Sequence, residues 1–159
     1  MDVALPCSDT TQTETVPSLK ELLEDGIYLL FLLRSGHHPH DASDFNRRVD
    51  EFLSRFRRNA QAAGKSPESV QDALYAFCAL MDEIVLASPT PIRDAWELQP
   101  LQLRLFGEHL AGEGFFQKLE MLRLDPVRHL ESLEVFHACL LLGFQGRYLI
   151  EGQEKLGYL

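Results

Sequence analysis

The sequence predicts an all-α fold, and three observations carry that prediction. Helix-start signals precede the apolar stretches, as in Ser18 with Glu21 three residues later and in Ser66 followed by Pro67. Behind such signals apolar residues recur at helical spacing, for instance Phe45, Val49, Phe52, Leu53 and Phe56. The segment with strand-like alternation, Leu101, Leu103 and Leu105 in PLQLRLF, has no second strand to pair with and so reads as helix.

Taken in order, residues 1–17 are Thr-rich, polar and unpatterned, which predicts a disordered tail. The Ser18 capping box opens a helix expected to run unbroken to about Arg34, where SGHHPHDAS at 35–43 breaks it. The next helix spans about Ala42 to Ala63, and Gly64 is placed to end it. Ser66 and Pro67 start a third, which SPTP at 88–91 terminates. Trp96 stands alone without a pattern around it. After the PLQLRLF segment come a helix from about Gly112 to Arg123 and a last one with Asp125 as N-cap and Pro126 at its first position, ended by Gly143 and Gly146. There is no internal repeat.

With 159 residues, 45% of them hydrophobic and 25% charged, the chain has the size and balance of one globular domain, expected at residues 18–159. A chain of this length buries roughly 70% of the surface it exposes when unfolded, so it needs no staples. The net charge of -9 is uneven: residues 1–65 hold eight Lys or Arg against ten Asp or Glu, and residues 66–159 hold seven against fourteen. That balance argues against nucleic acid as a partner, and the cluster Arg47, Arg48, Arg55, Arg57 and Arg58 is interleaved with Asp50 and Glu51, as on a solvated helix face. Cys7, Cys78 and Cys139 are odd in number and far apart, which suits a reducing compartment. The N-terminus lacks a signal-peptide pattern, and the apolar run IYLLFLL at 27–33 is far short of the roughly 20 residues that span a bilayer.

The chemically informative stretch is YAFCALMDEIVLASP at 75–89, where Asp82 and Glu83 interrupt an apolar run. Val70, Ala73, Leu74, Phe77, Met81, Ile84 and Val85 form one helical stripe, and at 100° per residue Asp82 lies beside it while Glu83 points to the far side. Adjacent helical residues do not face each other, so the two cannot form a catalytic dyad by themselves. Tyr75, Ala76, Ala79 and Leu86 make the far side apolar too, which predicts a central helix. Each carboxylate then needs its own donor, since an unpaired buried charge costs several kcal/mol. The N–H groups of a neighbouring helix N-terminus, the Trp96 indole and Arg147 are the options.

A second feature is Glu134-x-x-His137, placed by the same geometry on the side of Leu130, Leu133, Leu140, Leu141 and Phe144. Paired with a second copy and two more glutamates it would make a di-iron site, and hence a helical oxidoreductase as the alternative function. One copy is present, so a hydrogen-bonded core pair without metal is the expectation. His37, His38, His40 and Asp41 read as a solvated loop, and no phosphate loop, nucleophile elbow or zinc spacing occurs. The residues alone describe an acidic helical binding or scaffolding domain without a visible reaction or cofactor.

The blocks ALYAFCALMDEIVLASP, Trp96, LFGEHLAGEGFF and LEVFHACLLLGFQGRY occur in an order and spacing that resemble the DotU/TssL (IcmH) family of bacterial type VI and type IVB secretion systems, from about Leu19 to Leu156. The resemblance implies two small helical bundles packed into one hook-shaped domain, and a non-enzymatic structural role on the cytoplasmic side of the inner membrane. It implies as partners an IcmF/TssM-type inner-membrane protein and TssK- and TssE-type baseplate proteins. It also implies a C-terminal membrane helix that is not in this chain, through which self-association is expected. The family elements fall on Asp82 and Glu83 after Met81, on Gly112, Glu113, Phe115 and Phe116, and on Gly143, Phe144, Gly146, Arg147 and Tyr148. Together with Trp96 and Glu134 these are the candidate partner-binding or structural residues. His137 stands where the family usually carries an aromatic residue, which makes the Glu-x-x-His peculiar to this sequence.

Overall fold

The computed structural model describes residues 15–108 and 111–146. Among them are eight helices and no strand: α1 (Leu19–Leu22), α2 (Glu24–Arg34), α3 (Ala42–Ala62), α4 (Pro67–Ala87), α5 (Arg93–Leu98), α6 (Leu101–Phe106), α7 (Ala111–Leu122) and α8 (Leu130–Leu141). The expected all-α class holds. Most of the tail predicted at 1–17, together with Cys7, Arg147 and Tyr148, lies outside the described residues.

The caps form where the sequence places them. Ser18 Oγ accepts the Glu21 N–H while the Glu21 carboxylate accepts the Ser18 N–H, and Ser66 caps α4 with Pro67 in its first turn. Gly64 adopts φ +73°, the left-handed conformation that ends α3 without a Cβ penalty. The first helix is not continuous, however: Leu23 leaves helical geometry and splits it into α1 and α2. The break lets α1 tie to the far end of the chain, where the Glu131 carboxylate accepts both the Leu19 N–H and the Lys65 ammonium.

Helix α4 is the axis. Residues 72–82, Ile84 and Val85 are all buried, and α2, α3, α5, α6, α7 and α8 each pack on it. Nothing in its sequence offers solvent a polar face after the first two turns, so it is stable only when surrounded. Gly26 of α2 permits one close approach: a Cβ there would sit 2.6 Å from the Phe52 ring.

The last helix begins later than predicted. Asp125 and Pro126 belong to a turn, in which Asp125 Oδ1 accepts the Arg128 N–H and its carbonyl accepts the His129 N–H. α8 starts at Leu130 and buries Ser132, Val135, Phe136, Ala138 and Cys139. The side of Leu130 and Leu141, 58% and 74% exposed, faces out.

Candidate functional site

Two segments far apart in sequence, the α5–α6 corner and the turn at 144–146, converge on the middle of α4, and Asp82 and Glu83 are where they attach. Asp82 is 6% exposed. Its Oδ1 accepts the Trp96 indole N–H and the Leu101 N–H, both at 2.8 Å, and its Oδ2 accepts the Gln102 N–H at 2.9 Å. The carboxylate therefore caps the N-terminus of α6 from another helix and fixes the α5–α6 corner on α4. Two of the three predicted kinds of donor are used.

Glu83 leaves the other side of α4 and is half-buried. Its Oε1 accepts the Gly146 N–H at 2.7 Å and its Oε2 the Gln145 N–H at 3.0 Å. The sequence offers helix N-termini as backbone donors; those of Glu83 come instead from the turn after α8, which is brought beside α4 only by tertiary packing. The turn itself is glycine-dependent: Gly146 has φ +52°, and a Cβ on it would meet the Gly112 carbonyl oxygen at 2.6 Å. Burial pushes both carboxyls above their ordinary range. For Asp82 the Gln102, Leu101 and Trp96 donors pull part of the way back, and for Glu83 the Gly146 and Gln145 N–H groups and the Arg34 charge do so.

The aromatic site residues are core. Phe115, Phe116 and Phe144 are at most 2% exposed, with ring centroids of Phe115 and Phe144 at 4.1 Å and of Phe115 and Phe136 at 4.6 Å. Trp96 is 2% exposed against Phe45. They hold α5, α7 and the turn at 144–146 in place and offer nothing to a partner directly. Glu113, in contrast, is exposed on α7.

The structure corrects the reading of Glu134 and His137. Both are exposed on α8, so neither is a core group and neither projects inward as a ligand of a bundle metal site must. Among the described residues no three His, Cys, Asp or Glu side chains are grouped to hold a metal ion. The arginines of α3 pair along their own surface, Arg47 with Asp44 at 2.6 Å and with Glu51 at 3.0 Å. The broad hollow over that face, lined by Arg47, Asp50, Glu51 and Arg58 among others, is an open, solvated helix flank.

Two narrower clefts share Glu83. One, of about 220 Å³, runs between α4, α6, the start of α7 and the turn at 144–146, with Asp82, Glu83, Gln102, Glu108, Gly112 and Gly146 among its lining residues. The other, of about 250 Å³, lies behind it and contains Arg34 and Gly143. Sequence reasoning missed Gln102 and Glu108, polar residues in an ordinary helix and an ordinary loop. Gln102 is 1% exposed and its Nε2 donates to the Tyr75 carbonyl at 2.6 Å. Glu108 accepts the hydroxyl of buried Tyr75. Gly114 leaves room for that hydroxyl, which a Cβ would overlap.

The profile of the family described as "Type VI secretion system protein DotU" matches residues 18–159. Among solved structures the chain is similar to the cytoplasmic domain of TssL from Acinetobacter baumannii, at 44% identity and a TM-score of 0.86 over 89% of this chain and 91% of that one. It is also similar to SciP/TssL of the type VI secretion system from enteroaggregative Escherichia coli 042, at 31% identity and a TM-score of 0.73 over 80% of this chain and 74% of that one. No curated protein sequence compared with the chain matches it.

Proposed function

This chain belongs to the DotU family of type VI secretion system proteins, and from that membership we propose that it is a non-enzymatic adaptor, joining an IcmF/TssM-type inner-membrane protein to baseplate proteins of the TssK and TssE type. It is a component of a secretion system; its working position is the cytoplasmic side of the inner membrane, and residues 18–159 act as one helical unit there.

The observation that carries this reading is the placement of Glu83. It is a charged group held by two backbone N–H bonds, half-open to solvent, at the border of two clefts. Rigid polar groups at concave surfaces favour recognition, because little side-chain entropy is lost when a partner arrives. The same observation speaks against a reaction. Asp82 and Glu83 leave α4 in different directions and each is committed to backbone donors, so neither is free to serve as a general acid or base. Glu113, on the exposed face of α7 beside the cleft wall at Gly112, extends the acidic surface.

Calorimetric titration with the soluble cytoplasmic part of the IcmF/TssM-type protein and, separately, with the TssK-type protein tests the proposal. Saturable binding to either, weakened in Glu83→Gln while that variant still melts cooperatively within a few degrees of the parent chain, is the expected result. Absence of heat with both, from a chain that melts cooperatively, would reject it.

A further inference from the structure

The cleft between α4, α6 and α7 is lined by three carboxyl-bearing residues, Asp82, Glu83 and Glu108, and by no lysine or arginine among the described residues. Two arginine charges act on its carboxylates from outside it, Arg104 on Asp82 and Arg34 on Glu83. Arg104 pairs with Asp50 at 2.9 Å, and Arg34 lines the second cleft, behind Glu83. Charge alone would not make this a site. The second observation is Gln102 at its wall. Its Nε2 is fixed on the Tyr75 carbonyl, which decides the orientation of the amide, and its buried Oε1 has no donor among the described residues. A buried acceptor left without a donor costs about 1–3 kcal/mol, and native structures seldom tolerate that.

We propose that this cleft receives an arginine side chain presented by a partner protein, whose guanidinium supplies the missing donor to Gln102 Oε1 and answers the charge of Glu83 and Glu108. Arginine fits better than lysine. Its planar fork carries five N–H donors, so it can bond a carboxamide oxygen and a carboxylate at once, and it is less strongly hydrated. The proposal rests on the adaptor reading and adds the chemistry of the contact.

The chain carries its own reporter. Trp96 is the sole tryptophan, and its indole N–H lies on Asp82 Oδ1 behind the cleft. Titration with N-acetyl-arginine amide, followed by NMR on the indole and on the Gln102 side-chain amide, should give saturable shifts of both. N-acetyl-citrulline amide, its uncharged counterpart, should bind about tenfold more weakly or not at all. Glu108→Gln, at the exposed rim, should weaken arginine binding several-fold without unfolding the chain; Gln102→Met should do so while keeping the backbone N–H on Asp82. Equal shifts with both amides, or none with either, would overturn the proposal. So would saturation that appears only in Arg147→Ala, which would make the chain's own Arg147 the occupant. If the secretion partner binds and neither excess arginine amide nor Glu108→Gln disturbs it, this inference falls and the adaptor reading stands. If arginine amide binds as described and neither partner does, the cleft stands and the adaptor reading falls.

Discussion

Asp82 and Glu83 are neighbours in sequence and of one chemical kind, yet they serve different regions. Asp82 faces the α5–α6 corner, 6% exposed, with three N–H donors. Glu83 faces the turn at 144–146, half-open, with two. One carboxylate has become part of the core and the other part of a surface, because a helix turns by 100° per residue and α4 is enclosed on one side more tightly than on the other. A pair of charges in an apolar run therefore reports two separate attachments to the helix.

The largest effect that tests this contrast is at Asp82. Asp82→Ala strands three buried N–H groups and should cost about 3–5 kcal/mol, a fall in melting temperature on the order of 10 °C, read by urea and thermal unfolding. Its pH dependence has a defined sign. The native pKa is raised, chiefly by burial, so between the unfolded value of about 4 and the native one the native state holds more protons. The stability that Asp82 contributes is then full below the unfolded value and falls as pH rises through the native one. The difference in unfolding free energy between this chain and Asp82→Asn, measured across that window, should shrink with rising pH. A flat difference would show that the three donors offset burial completely.

Gly146→Ala should follow at about 1–3 kcal/mol, since the new Cβ meets both a left-handed backbone and the Gly112 carbonyl. It attacks Glu83 from the other side of its hydrogen bond. Glu83→Gln itself should cost about 1 kcal/mol or less, because one oxygen remains to accept from the turn, yet reduce partner binding measurably. If Glu83→Gln proved as destabilising as Asp82→Ala, the contrast between a core carboxylate and a surface one would be lost.

How much of this could be read beforehand follows the same division. Ser18, Ser66, Pro67 and Gly64 announce helix ends because caps and left-handed glycines act locally, on residues adjacent in the chain. Asp82 was legible as a charge in need of donors, with a helix N-terminus, the Trp96 indole and Arg147 as the options, since burial without donors is prohibitive. Events decided by tertiary packing were not legible. Leu23 breaks an apolar run that shows no break, and α5 is too short for its six residues to set up a period around Trp96. Asp125-Pro126 has the local form of a helix start, but Leu124 and Val127 are 85% and 89% exposed, so there is no packing to hold a helix there. The apolar residues of α8 surround it almost completely, and sequence could not say which side would be inside. Gln102 and Glu108 acquire meaning only from the cleft that brings them beside Glu83.

The smallest expected effect concerns that ambiguous helix. Glu134 and His137 are exposed on α8, away from the face formed by Val135, Phe136 and Cys139. Exposed polar positions of this kind rarely change stability by more than about 0.5 kcal/mol, so the double replacement by alanine should melt with the parent chain. It should also bind the secretion partners with unchanged affinity, because neither residue borders the clefts that share Glu83. Calorimetry on that variant sharpens the contrast more than its size suggests. A loss of binding there, with Glu83→Gln unaffected, would move the working surface from the cleft to the outer face of α8 and leave both carboxylates of α4 as fastenings of the fold.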